Sequence, residues 1–203
     1  GDSITWGYDQ ATGATGGYRA PLYDLLTQAG YNIEFCGSQT GNSTGMASPK
    51  HEGHSGYRIS NNYCPDQNGL LENLSSWFAD ANCKNPHIVL LHIGTNDANT
   101  DPNDLKTHGL ENLGLLIDRI SEYEPGAEIV VSTLLERDYR KNGTDHSNVV
   151  ITNWFNPHLP ALVLEHAQKG QRVHFFDISP YVPLADLGDG CHPSATGYQK
   201  MAQ

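Results

Sequence analysis

The residues with chemistry to offer sit at the two ends of this chain and once in its middle. The chain opens on Gly1-Asp2-Ser3-Ile4-Thr5, where Ser3 reads as a nucleophile held at the end of a β-strand. A serine hydroxyl is a poor nucleophile at neutral pH. It needs a histidine to take its proton, a carboxylate to orient that histidine, and donors for the oxyanion. Asp189-Gly190-Cys191-His192-Pro193 supplies the first two. Three residues from His192 in a turn, Asp189 can accept from its Nδ1, which leaves Nε2 free to face Ser3. Pro193 suits the first turn of a closing helix, where a missing N–H costs little. The middle stretch, His92-Ile93-Gly94-Thr95-Asn96-Asp97, follows the apolar run Ile88-Val89-Leu90-Leu91. A buried strand of that kind ends at the carboxyl edge of a parallel sheet, where ligands bind in open α/β folds. Asn96 can aim its amide there. With the Ser3 backbone N–H and one from a glycine of Gly53-His54-Ser55-Gly56, it makes a three-donor oxyanion hole.

None of these signals is specific by itself. Gly-Asp-Ser is usually an ordinary turn, Asp-Gly-x-His is often a turn with a solvated histidine, and Gly-Thr-Asn-Asp is often a capped loop. Together, and in this order, they resemble the four sequence blocks of the SGNH (GDSL-type) hydrolases, over essentially the whole chain. The runs His51-Glu52-Gly53-His54-Ser55-Gly56-Tyr57-Arg58-Ile59 and Tyr31-Asn32-Ile33-Glu34-Phe35-Cys36-Gly37-Ser38-Gln39 are similar to the acetyl xylan esterases of carbohydrate esterase family 3. The resemblance implies a three-layer flavodoxin-like α/β fold, with a five-stranded parallel sheet in the order 2-1-3-4-5. It implies a Ser3–His192–Asp189 triad and an oxyanion hole of Ser3, Gly56 and Asn96, with Gly53 as the fallback for Gly56. The implied substrate is an acetylated polysaccharide or oligosaccharide, acetylated xylan first. The same blocks also serve lipases, thioesterases and other esterases of small acyl groups. Two readings of other classes are a carbohydrate-binding relic with a dead triad and a flavodoxin-like binding domain. The second lacks a phosphate-cradling glycine loop of the G-x-G-x-x-G or P-loop type.

The elements that must position these residues follow from periodicity. Leu22, Leu25, Leu26 and Ala29 give a helix over Tyr18–Ala29, stopped by Gly30. Ile33–Cys36 reads as a short strand, and the Gly-, Ser- and Thr-rich stretch 37–56 as a long functional loop. Helices are expected over Leu70–Ala81, Asn103–Ser121 and Val149–Gln168, the last kinked or delayed by Pro157 and Pro160. Strands are expected at Ile88–His92, Ile129–Leu134 and Val173–Phe176. Alternation of strand and helix implies a parallel sheet covered on both faces. A leading strand is expected just before Gly1, so that residues 1–203 are read as one catalytic domain of a protein longer at both ends. Glu136–Asn148 is expected to wall the substrate site. Arg19 reads as a surface arginine at a helix start, the alternative being that it holds the loops of the site or reaches substrate. Trp77 and Phe78 read as core, and His92 as a hydrogen-bonded core or near-site residue.

Composition narrows the partners. A formal charge of −11, from 12 basic and 23 acidic residues, repels phosphate backbones and anionic lipid. Nucleic acid and membrane are therefore not expected partners, and a neutral substrate is. Charged residues are only 17%, and the polar uncharged remainder suits a secreted, extracellular monomer. His51 and His54 flank Glu52, but in a glycine-rich loop rather than four apart on a helix as zinc proteases require. No metal and no cofactor are expected. Of the four cysteines, a bridge from Cys64 to Cys83 is expected across the Leu70 helix. Cys36 and Cys191 then either pair or remain free and buried. Cys191 as nucleophile and Asp177 or Asp186 as orienting carboxylate are rivals that explain less than Ser3 and Asp189.

Overall fold

The computed structural model describes residues 1–9, 16–79, 83, 85–138 and 145–203. Three parallel strands form the sheet: β1 (Ile88–Leu91), β2 (Glu128–Ser132) and β3 (Val173–Phe176), in the order β1-β2-β3. Leu91 pairs with Val131, and Val131 with Phe175, so the carboxyl ends of all three strands lie level. The helices are α1 (Ser3–Trp6), α2 (Arg19–Gln28), α3 (Leu70–Ala79), α4 (Thr95–Thr100), α5 (Pro102–Tyr123), α6 (His146–Val150), α7 (Asn156–Gln168) and α8 (Ala195–Ala202).

The larger core follows from strand alternation, which sends successive side chains to opposite faces. Ile129 and Val131 join Leu113, Leu116, Ile117, Phe155 and Leu159 in the larger cluster beneath α3, α5 and α7. On the other side Ile4, Tyr18, Ile178, Val182, Leu187 and Tyr198 form a smaller cluster beneath α2 and α8. That smaller core matters for function, because it seats Ile4 beside the elements that carry Asp189 and His192.

Local rules explain the helices. Asp101 caps α5 by accepting from Asn103 N–H at 2.9 Å, and Pro102 fills a first-turn position that needs no donor. The expected kink around Pro157 and Pro160 takes the form of a π-turn, Ile151–Phe155, joining α6 to α7. The expected helix over 70–81 runs Leu70–Ala79, and its last two positions lie outside the described residues.

Two expectations are overturned. Ile33–Cys36 is not a strand of the sheet; the only ladder in that region is an isolated antiparallel bridge between Gln39 and His51. No described segment forms a ladder with 33–36. An extended segment becomes a strand only where a partner runs alongside. The disulfide joins Cys36 to Cys83, Cα atoms 4.9 Å apart, and Cys64 and Cys191 are free thiols. Between Cys64 and Cys83 the ten residues of α3 carry the chain roughly 15 Å, whereas the loop holding Cys36 lies against residue 83.

Candidate active site

Ser3 is the first residue of α1, and its N–H has no partner within the helix. Asp2 caps the same turn, its Oδ1 accepting from Ile4 N–H at 2.9 Å. Gly7 closes α1 in a left-handed conformation (φ 92°), with Gly17 so near that a side chain would collide. The last carbonyls of α1 are held by two side chains. Arg19 donates to Thr5 O at 3.0 Å and Trp6 O at 3.1 Å, and Asn42 Nδ2 to Trp6 O at 2.9 Å and Gly7 O at 2.8 Å. Arg19 is therefore not a surface residue but 3% exposed, with Ser43 Oγ on its third nitrogen. Burial lowers its pKa to about 10, so it remains a cation. A cation at the carboxyl end of a helix opposes the helix dipole favourably, and here it fixes the turn that presents Ser3.

Ser3 Oγ lies 2.9 Å from His192 Nε2, across 189 positions of sequence, and His192 Nδ1 lies 2.8 Å from Asp189 Oδ2. The other carboxylate oxygen, Oδ1, accepts the backbone N–H groups of Cys191 at 2.9 Å and His192 at 2.7 Å. Burial would raise the Asp189 pKa. The donors from His192 and Cys191 outweigh it and hold the carboxyl below its usual range. The rival carboxylates are engaged elsewhere, Asp177 with Thr133 and Ser179 and Asp186 with Lys200. Cys191 is 6% exposed, and burial pushes its thiol up to about 12, far from a thiolate.

Asn96, half-buried at the start of α4, donates through Nδ2 to Tyr57 O at 2.8 Å. An amide nitrogen carries two hydrogens. One is taken by Tyr57, which fixes the side chain's rotation and leaves the other for a ligand. The segments behind Asn96 and Gly56 are locked together by buried charge. Asp97 accepts from Ile59 N–H at 3.1 Å and stands 3.5 Å from Arg58, which also pairs with Asp104. Desolvation raises the Asp97 pKa to about 7, with Arg58 pulling the other way. Gly56, exposed and at φ 83°, has open space around it. Gly53 does not fit the donor role. Its N–H is spent on His51 Nδ1 at 3.0 Å, and it packs against the α1 backbone too closely for any side chain.

The histidines between Gly41 and Gly56 serve the loop. His51 Nε2 donates to Gly41 O at 2.8 Å, and burial lowers its pKa to about 4. His54 stacks on Trp77 at 4.0 Å and bonds Glu52, whose carboxylate also takes both donors of Ser38. No group of three His, Cys, Asp or Glu that could hold a metal ion occurs among the described residues. His92 is buried, and neither ring nitrogen finds a partner on another described residue, so it is core without the expected hydrogen bond. Of the expected wall Glu136–Asn148, residues 139–144 lie outside the described residues. The remainder reaches the site through Asp138 N–H, which donates to Gly190 O at 2.8 Å. Arg137 ties the same segment to the Asn96 loop by donating to Thr95 O at 3.3 Å. Sequence reasoning did not single out Arg137, Asn42 or the Arg58–Asp97–Asp104 network. Their only signal is a charge or amide within a few residues of a motif.

Residues 1–200 match the GDSL-like lipase/acylhydrolase family. The chain belongs to that family. A family 3 carbohydrate esterase from Clostridium thermocellum is 32% identical, with a TM-score of 0.68 over 99% of this chain and 88% of that one. A multidomain esterase from Ruminococcus flavefaciens is 32% identical over the whole of this chain, which spans 27% of that protein's length. A family 3 carbohydrate esterase from Talaromyces cellulolyticus shares the fold at a TM-score of 0.70 and 21% identity, over 92% of this chain and 86% of its own. The coarse class is thereby set: the chain is a member of the GDSL-like lipase/acylhydrolase family on an SGNH-hydrolase α/β fold.

Proposed function

We propose that the protein is a secreted, monomeric serine esterase that removes O-acetyl groups from plant cell-wall polysaccharide, acetylated xylan first among them. The observation that carries the reading is the unbroken relay from Ser3 Oγ through His192 to Asp189, built from opposite ends of the chain. Ser3 attacks the acetyl carbonyl while His192 Nε2 takes its proton, and Asp189 steadies the imidazolium. The N–H groups of Ser3 and Gly56 and the free Asn96 hydrogen receive the oxyanion. His192 then returns its proton to the departing sugar hydroxyl, and water repeats the two steps on the acyl-enzyme. The sugar substrate rests on the 32% identity to a family 3 carbohydrate esterase. The extracellular setting rests on the Cys36–Cys83 disulfide, which persists in oxidising compartments. No helix among the described residues is long and apolar enough to cross a membrane.

The test is acetate release from acetylated xylan, with p-nitrophenyl acetate run in parallel, by this protein and by Ser3→Ala. Release abolished in Ser3→Ala is the expected result. Cleavage of the nitrophenyl ester without release from xylan removes the xylan assignment and leaves an esterase of other small acyl esters. A folded protein silent on both removes the esterase reading in favour of carbohydrate binding.

A further inference from the structure

An aromatic ring in contact with the general base belongs to a residue that none of the catalytic steps uses. Tyr8 lies five positions after Ser3, and its ring centroid is 4.5 Å from that of His192, tilted by 57°. Its backbone is pinned on both sides: its N–H donates to Ser3 O at 2.9 Å, and its carbonyl accepts the buried Tyr198 hydroxyl at 2.7 Å. Yet the residue is 37% exposed. A tilted contact leaves part of the ring face uncovered by the imidazole. The site thus holds an aromatic face that is rigid, partly solvated and in contact with the general base.

Its position decides what it can serve. His192 must reach both the serine hydroxyl and the oxygen of the departing alcohol, because the proton taken from one is returned to the other. A ring lying against that imidazole is within reach of the alcohol to which the proton is returned. The acyl side is given to the oxyanion donors at Gly56 and Asn96. Pyranose rings expose faces of C–H groups that pack against aromatic faces, and tyrosine offers such a surface with little side-chain entropy to lose.

We infer that Tyr8 is the sugar-stacking platform for the leaving-group residue, selecting alcohols that are flat saccharide rings. The inference rests on the esterase reading above and adds the element that tells a sugar ester from a simple one. It requires that Tyr8 bind the saccharide without being needed to orient His192.

The experiment separates the two claims. Unacetylated xylotriose is titrated as an inhibitor of p-nitrophenyl acetate hydrolysis in the native protein, in Tyr8→Ala and in Tyr8→Trp. Acetate release from acetylated xylo-oligosaccharides is measured for all three. The expected result in Tyr8→Ala is a xylotriose inhibition constant and an oligosaccharide KM raised roughly three- to tenfold, the worth of one aromatic contact. The pH profile of nitrophenyl ester hydrolysis stays as in the native protein, and Tyr8→Trp restores saccharide binding. Xylotriose inhibition that is absent from the native protein, or unchanged in Tyr8→Ala, overturns the platform. A displaced pH profile in Tyr8→Ala overturns it in favour of a positioning role for the ring. Absence of acetate release by the native protein, with xylotriose inhibition intact and sensitive to Tyr8, removes the xylan substrate but keeps the platform.

Discussion

Replacing Asp189 by asparagine changes one atom's hydrogen-bonding sense and little else, and its effect can be worked through from the geometry. Asp189 Oδ1 accepts two backbone N–H groups, from His192 at 2.7 Å and Cys191 at 2.9 Å, and Oδ2 faces His192 Nδ1 at 2.8 Å. In Asp189→Asn the amide oxygen must take the Oδ1 place, since the reverse orientation would set an NH₂ against two donors. The turn is thereby kept, and the NH₂ is left facing Nδ1. The imidazole then carries its proton on Nε2, 2.9 Å from Ser3 Oγ, where it donates instead of accepting. A wrong tautomer of this kind costs about ten-thousandfold in kcat, roughly 5.5 kcal/mol of barrier. The assay is background-corrected p-nitrophenyl acetate hydrolysis from pH 6 to 9, with near-UV circular dichroism as the check on folding. Asp177→Asn and Asp186→Asn serve as controls and are expected to keep most of the native rate. If a folded Asp189→Asn retains more than about a tenth of native kcat, or if Asp177→Asn loses as much, then Asp189 does not set the tautomer and the reasoning fails.

Three further predictions follow from other parts of the site. Asn96→Ala should lose about 10²- to 10³-fold in kcat with a smaller change in KM, because the oxyanion needs the donor more than the ground-state ester does; equal losses in both parameters would argue against an oxyanion donor. Asp97 has its pKa raised by burial to about 7, so its contribution to stability is present below the ordinary carboxylate range and fades as pH rises toward 7. Urea titrations should therefore show Asp97→Asn gaining on the native protein between pH 4 and 8, by up to about 4 kcal/mol, and parallel curves would refute the shift. Cys36 and Cys83 close a loop of sequence separation 47, for which the chain-entropy relation gives about 4 kcal/mol; the double Cys→Ala change should cost up to that much, and Cys64→Ala far less. In the native protein a thiol titration should find Cys64 readily and Cys191 only after denaturation.

What could be read from the sequence was whatever physics keeps within a turn or two of chain. The Asp189–His192 pair is three residues apart in a turn, and its geometry is local. The apolar run before Gly94 had to be a strand and Asn103–Ser121 a helix, because periodicity acts over a few residues. The order of the four blocks and their match to a known family carried the remaining step to an esterase. Through-space partners were not legible in the same way. Ile33–Cys36 has strand-like composition but no neighbour to pair with, and Cys36 rather than Cys64 meets Cys83 because of where α3 carries the chain. Arg19, a surface residue by composition, is buried because the carbonyls ending α1 need a donor that only the folded loops bring near. Arg58 and Asp97 are ordinary charges in sequence and a buried brace in space. Tyr8 is a residue after a glycine until the carboxyl-terminal corner folds back and sets His192 against its ring. Each of these depends on contacts between segments tens to hundreds of residues apart, and those were decided only when the two cores closed around them.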